Sequence, residues 1–381
     1  MEVEKMDFTP LISYMQDVLH KEKSLPSCDI KIMRNHETLF RYSCGTRDYD
    51  QKETVRKDDI YTLFSCTKPI TCAAAMRLVE EGVIGLDDPV SKYLPEYKNA
   101  FLMKDGRAVP ATKTMTIRHL FTMSGGLDYN KTAQPVQDVL AANPNAGTLE
   151  LVNAFIRSPL QFEPGDKFLY SLCHDVLAAV VEVASGMQYS KYLEKTIFDP
   201  LGMKETKFLL SEADKPRLAA MYFAKPGSCD PYPQRCDYRL SERYESGGAG
   251  LYSTVEDYSL FADAMANGGV GITGKQILKP ETIDLMRTEQ LSTCTNNPEF
   301  SCYSGPGYGY AFGVRTMVDT SECKHATIGE FGWDGAAGSF VMIDPQNNLS
   351  LFFATHVLGW SNLMGCGHIP LRDLTYQCLG L

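Results

Sequence analysis

The hydrophobic pattern of the chain divides into strand-like ends and a helical middle. Residues 28–50 alternate as two short strands around a turn at Asn35–Glu37, and IYTLF, residues 60–64, reads as another short strand. Helical spacing appears at 10–22 and again from Pro69 to Glu81, where Ile70, Ala73, Ala74, Leu78 and Val79 share one face and Gly82 stops the run. A short helix over 116–123 ends at Gly125-Gly126, a further helix lies near 148–158, and Glu163-Pro164-Gly165 marks a turn. HDVLAAVVEVASG, residues 174–186, predicts a helix with a terminal glycine, and residues 191–203 predict a second helix cut by Pro200. Residues 207–245 are irregular and rich in Pro, Tyr and Cys. Residues 254–267 are helical, capped by Ser253 or Thr254 with Glu256 and Asp257 in the first turn. Runs at 308–316, 325–331, 338–344 and 349–356 read as consecutive strands, and 368–379 as a closing helix.

Strands at both ends with helices between them predict an α+β fold: one antiparallel sheet built from both termini, flanked by helices, with a mostly helical lobe inserted. The expected division is one domain over 1–381, with an α/β lobe from about 1–75 and 245–381 and a helical lobe from about 76–244. The lobes would meet in a cleft, a preferred place for a ligand.

Composition narrows the function classes. Hydrophobic residues make up 44% and charged residues 22% of the 381, as expected of a globular protein, and the net charge of -10 argues against a nucleic-acid partner. No apolar run approaches the length of a membrane span, and none of signal-peptide length follows the first residues, so a cytoplasmic protein is expected. The twelve cysteines contain no CxxC pair, and His119, His325 and His356 lack metal spacing, so neither a metal nor a cofactor is expected. Free thiols are the preferred reading, with Cys229–Cys236 and Cys294–Cys302 as the best disulfide candidates.

Three stretches carry the chemistry. In Ser65-Cys66-Thr67-Lys68 a serine opens a helix three residues before a lysine, which puts both side chains on one face. A serine hydroxyl needs a nearby base before it attacks, and burial can make a lysine amine that base. The run follows a strand and opens an Ala-rich helix, where a lysine needs a reason. The second stretch, Phe168 to Leu172, presents Tyr170 at a loop-to-helix junction, where a phenol near the lysine ionises more easily and acts as a base. The third, Phe331-Gly332-Trp333-Asp334-Gly335-Ala336-Ala337-Gly338, places glycines at a strand edge, where backbone N–H groups can approach an oxyanion. His174 and Asp175 follow the tyrosine, but adjacent helical positions point in different directions, so His174 is read as structural.

Together these elements resemble the serine β-lactamase-like superfamily, and within it the branch of class C β-lactamases, D-peptidases of the same fold and related esterases. Ser65 to Lys68 stands where the family carries Ser-x-x-Lys, Tyr170 where it carries the tyrosine of Tyr-x-Asn, and Trp333-Asp334-Gly335 where it carries Lys-Thr-Gly. The resemblance spans roughly residues 28–360 and extends to TIRHLFTMSGGL, FEPGDKFLYS and IFDPLGMKET. It implies that Ser65 is acylated, that Lys68 and Tyr170 shuttle its proton, and that the N–H groups of Ser65 and Ala336 form the oxyanion hole. Substrate contacts would come from Trp333, Asp334, Gly335 and Leu172. Leu172 stands in place of the family's amide-contacting asparagine, and Trp333 in place of its carboxylate-binding lysine. Both changes favour a less polar ester or amide, cleaved or transferred through an acyl-enzyme. The alternatives are a β-lactamase or D-amino-acid peptidase and, from another class, a non-catalytic binding protein on the same fold.

Overall fold

A computed structural model describes residues 6–234, 238–293, 300, 305–323, 325–361 and 363–381. Seven strands form the main sheet: β1 (Ser27–Arg34), β2 (Glu37–Gly45), β3 (Tyr308–Tyr310), β4 (Arg315–Met317), β5 (Phe331–Asp334), β6 (Phe340–Asp344) and β7 (Leu349–Ala354). Their order is β2-β1-β7-β6-β5-β4-β3, and every neighbouring pair is antiparallel. The two N-terminal strands therefore join the C-terminal ones across the β1–β7 ladder, where Ile30 faces Phe353 and Ile32 faces Leu351. Asn35 and His36 both take positive φ, 51° and 67°, giving the two-residue turn whose twist matches the β1–β2 hairpin.

Both faces of this sheet are covered. Along β6 and β7, Val341, Ile343 and Phe352 point to one core, while Phe340, Met342, Leu351 and Phe353 point to the other. With both faces buried, the two-residue alternation of strand side chains leaves no polar side, which is why these strands read as nearly continuous apolar runs. One core is closed by the N-terminal helical segment, through Leu11, Met15 and Leu19, and by α4 (Ile369–Cys378), through Leu371 and Tyr376. The other holds α3 (Val255–Ala266), α1 (Thr67–Glu80) and α2 (Cys173–Ser185). Thr254 caps α3, its hydroxyl accepting from the Asp257 N–H at 3.1 Å.

Helix α1 departs from the amphipathic helix expected of it. Every residue from Thr67 to Met76 is buried, Lys68 included. The alanines at 73–75 of α1 and 178–179 of α2 are small enough to let neighbouring elements close on all sides.

Several element boundaries move for local reasons. The expected strand at 308–316 is two strands, because the chain turns where the Ala311 N–H bonds the Val314 carbonyl at 2.8 Å. The expected strand at 325–331 instead starts at Phe331, after a turn closed by the Glu330 N–H on the Thr327 carbonyl. Pro200 does not cut its helix: helical structure runs on to Leu201 and ends where Gly202 takes φ +77°. The irregular region contains a hairpin of Tyr222–Lys225 and Ser228–Pro231, which Val357–Leu358 joins in parallel. Cys229 is a free thiol, and Cys236, Cys294 and Cys302 lie outside the described residues. No helix among the described residues is long and apolar enough to cross a membrane.

Candidate active site

Only Tyr61–Thr62 of the strand expected at 60–64 is extended; Leu63 and Phe64 already turn into the helix. Phe64 sits at φ +46°, a costly conformation for a bulky residue. Burial against Met221 and Ala337 holds it there. This kink sets Ser65, half-buried, in the single 3-10 turn that leads into α1.

Lys68 follows on the first turn of α1. Its Nζ donates to Ser65 Oγ at 3.1 Å, to the Gly248 carbonyl at 2.7 Å and to Tyr129 Oη at 3.3 Å. The side chain is fully buried, and loss of hydration pushes the amine down to about 8 from its ordinary 10.5. The charge of Asp175 on α2 is the largest influence in the opposite direction. An amine near 8 exchanges a proton with a serine at neutral pH, where an exposed lysine would stay charged.

Tyr170 precedes α2 and its Oη accepts from Trp333 Nε1 at 3.1 Å. The Ser65 hydroxyl also bonds it. Its ring stacks on Trp333 and on Tyr129, each at 5.7 Å between centroids. Lys68 Nζ lies 4.6 Å from the Tyr170 ring centroid. The expectation that the lysine eases ionisation of this phenol is not met: burial dominates and holds Tyr170 well above the ordinary tyrosine value. The pair is thus a lysine made easier to deprotonate and a tyrosine kept protonated.

Strand β5 supplies the opposite wall. Trp333 is buried, and the Asp334 carboxylate is engaged by the buried guanidinium of Arg315. A Cβ on Gly335 would stand 2.3 Å from the Leu63 carbonyl, so only glycine lets the strand end approach the segment carrying Ser65. Ser339 Oγ ties the two together by donating to the Leu63 carbonyl at 3.2 Å, and Ala336 is exposed at the tip of the turn. Leu172 is buried beside Leu127 and Phe155, and its N–H bonds the Asp128 carbonyl. Its apolar side chain gains more from burial than from a wet cleft. His174 is likewise structural, fully buried with Nε2 donating to the Phe121 carbonyl at 3.2 Å.

Two participants were not legible as site residues. Tyr129 stands two residues after the family-like stretch ending at Leu127, and nothing in its spacing marks it. Gly248 lies in the GGAG run at 247–250. A Cβ on Gly248 would lie 2.6 Å from Asp175 Oδ2 and 3.5 Å from Lys68 Nζ. Among the described residues no group of three His, Cys, Asp or Glu side chains could hold a metal.

Comparison with known proteins gives the family. The Beta-lactamase family model matches residues 12–364. The chain belongs to the beta-lactamase family. It is 29% identical to "Esterase EstB" of Burkholderia gladioli, covering 93% of this chain and 92% of that protein. To "Lovastatin esterase" of Penicillium rubens it is 28% identical, with 78% of this chain and 80% of that protein covered. Among solved structures, "EstCE1, a hydrolase with promiscuous acyltransferase activity" superimposes with a TM-score of 0.77 at 25% identity, covering 96% of this chain and 97% of that one. The same TM-score, 0.77, is reached at 20% identity by a simvastatin synthase mutant from Aspergillus terreus, covering 97% and 94% of the two chains, a likeness of fold. These relatives support a hydrolase.

Proposed function

We propose that this chain is a serine esterase working through an acyl-enzyme, with Ser65 as nucleophile. The observation that carries the reading is the 3.1 Å contact between Ser65 Oγ and a buried Lys68 amine pushed down to about 8. Neutral Lys68 takes the Ser65 proton as Oγ attacks the ester carbonyl. The carbonyl oxygen becomes an oxyanion facing the N–H groups of Ser65 and Ala336, a role supported by the pinning of the Gly335 turn against Leu63. As the tetrahedral intermediate collapses, the proton on Lys68 passes through the Tyr170 hydroxyl to the departing alkoxide, which leaves as alcohol. Water, or a second alcohol, then enters by the reverse path: it gives its proton to Lys68 and attacks the acyl carbon, and Ser65 recovers its proton.

The substrate side is supported by Trp333. Where the family resemblance expects a lysine for a substrate carboxylate, an indole is spent on Tyr170 and the adjacent Asp334 is spent on Arg315. Such a wall suits an uncharged acyl group and disfavours penicillin-like or peptidyl substrates. The names of the esterase relatives point the same way. A two-lobe division near residues 76 and 244 is supported by the main-sheet strands, which lie before residue 46 and after residue 307. A reducing compartment such as the cytoplasm is supported by the buried free thiols of Cys28, Cys66, Cys72 and Cys173.

The test is hydrolysis of p-nitrophenyl butyrate and of a chromogenic cephalosporin by the wild type and by Ser65→Ala. Ester turnover that vanishes in the variant, with the cephalosporin intact, is the expected result. Opening of the cephalosporin at comparable rate would replace the esterase reading with a β-lactamase.

A further inference from the structure

Lys68 is faced from several elements. Just before its own helix is Cys66 and on it Cys72, both fully buried with thiols pushed up, to about 12 for Cys66. Strand β5 brings Asp334, already engaged by Arg315. Tyr129 and Tyr170 bring phenols, and His174 on α2 is held neutral by burial, its imidazole pushed down to about 3. Asp175, also on α2, is the remaining charged group.

The setting of Asp175 is unusual. It is fully buried, and its Oδ1 accepts from Tyr244 Oη at 2.7 Å and from Ser246 Oγ at 2.5 Å. Its Oδ2 is buried and, among the described residues, accepts no hydrogen bond. That bare oxygen lies 2.6 Å, and Lys68 Nζ 3.5 Å, from where a Cβ on Gly248 would stand, and the amine donates to the Gly248 carbonyl. An unpaired buried carboxylate oxygen is expensive, and a fold that keeps one beside a buried amine uses its field. The absence of a side chain at residue 248 leaves the space between the two groups free of intervening side-chain atoms.

We infer that Asp175 is a positioning residue for the reaction, whose buried carboxylate, acting across Gly248, sets the pH at which the Lys68 amine gives up its proton. This rests on the reading of Lys68 as the proton acceptor for Ser65. Desolvation alone would carry the amine further down, leaving a base too weak to take a serine proton, and the negative charge restores part of its basicity. Tyr244 and Ser246 hold the carboxylate by one oxygen, so the other stays turned to the lysine.

The experiment is the pH dependence of kcat/KM for p-nitrophenyl butyrate in the wild type, Asp175→Asn and Tyr244→Phe. Asp175→Asn keeps the shape and removes the charge. The limb that titrates Lys68 is expected to move about one unit toward acid. Relative to its own plateau, the variant would then be about tenfold more active than wild type two units below the wild-type limb. Tyr244→Phe removes a donor from the carboxylate, leaves its charge less compensated, and is expected to move the limb the other way. Opposite displacements are a signature that loss of packing does not produce. A lower plateau with an unmoved limb in both variants would overturn the inference, and Tyr244→Phe decides alone if Asp175→Asn does not fold. The 13Cε shift of Lys68 in lysine-labelled protein follows the same titration without turnover. If wild type fails to turn over the ester, the esterase reading falls and this readout still judges Asp175. If wild type is active, Ser65→Ala is not, and the limb stays put, only the role of Asp175 falls.

Discussion

Replacing Lys68 with methionine should abolish ester turnover and make the protein more stable at neutral pH. The reasoning starts from the amine at about 8 against 10.5 in an exposed lysine. The unfolded chain holds a proton there more tightly than the native state does, so folding is penalised wherever the unfolded lysine is charged. The full penalty, about 3 kcal/mol at 1.36 kcal/mol per unit, applies below pH 8 and is relieved as pH rises from 8 toward 10.5. Methionine has a similar stem and no charge, so it escapes this term. It also strands the Gly248 carbonyl, which loses its 2.7 Å donor at a cost of about 1 kcal/mol. The net gain expected at pH 7 is about 1–2 kcal/mol. At pH 9.5 much of the wild-type penalty has gone, and the variant's advantage should shrink by about 2 kcal/mol. Urea unfolding followed by tryptophan fluorescence at the two pH values measures both numbers. A variant less stable than wild type at pH 7, with a gap that does not change with pH, would refute the picture of a lysine held against its own hydration. The outcome bears on function, because a group that destabilises the fold while serving the reaction is the usual stability–activity exchange.

Two further outcomes follow from the same geometry. In the wild type, kcat/KM for p-nitrophenyl butyrate should rise about tenfold per pH unit until about 8 and level off above it, since only neutral Lys68 accepts the serine proton; a flat profile between pH 6 and 9 would contradict this. Trp333→Phe keeps the stack on Tyr170 but removes the 3.1 Å indole bond, a loss of about 1 kcal/mol and about fivefold in kcat/KM with the fold intact by circular dichroism; unchanged kinetics would mean that the indole serves only as wall.

The sequence by itself determined what short-range rules govern. The spacing of Ser65 and Lys68, a cap at Ser253 or Thr254, the turn at Asn35–Glu37 and the paired apolar runs of β6 and β7 each depend on residues within a few positions of one another, and the fold contains each, with Thr254 as the cap and Asn35 and His36 as the turn. The family resemblance added Tyr170 and Trp333, which the fold brings to Ser65 and to each other. Tertiary structure alone decided the rest. Tyr129 and Gly248 reach Lys68 from 61 and 180 residues away, and no local pattern encodes such meetings. Leu172 went to the core because neighbours distant in sequence gave it an apolar place. The protonation of Lys68 and Tyr170 was equally out of reach of the sequence, because it follows from how completely water is removed from each group, and that is a property of the packed whole.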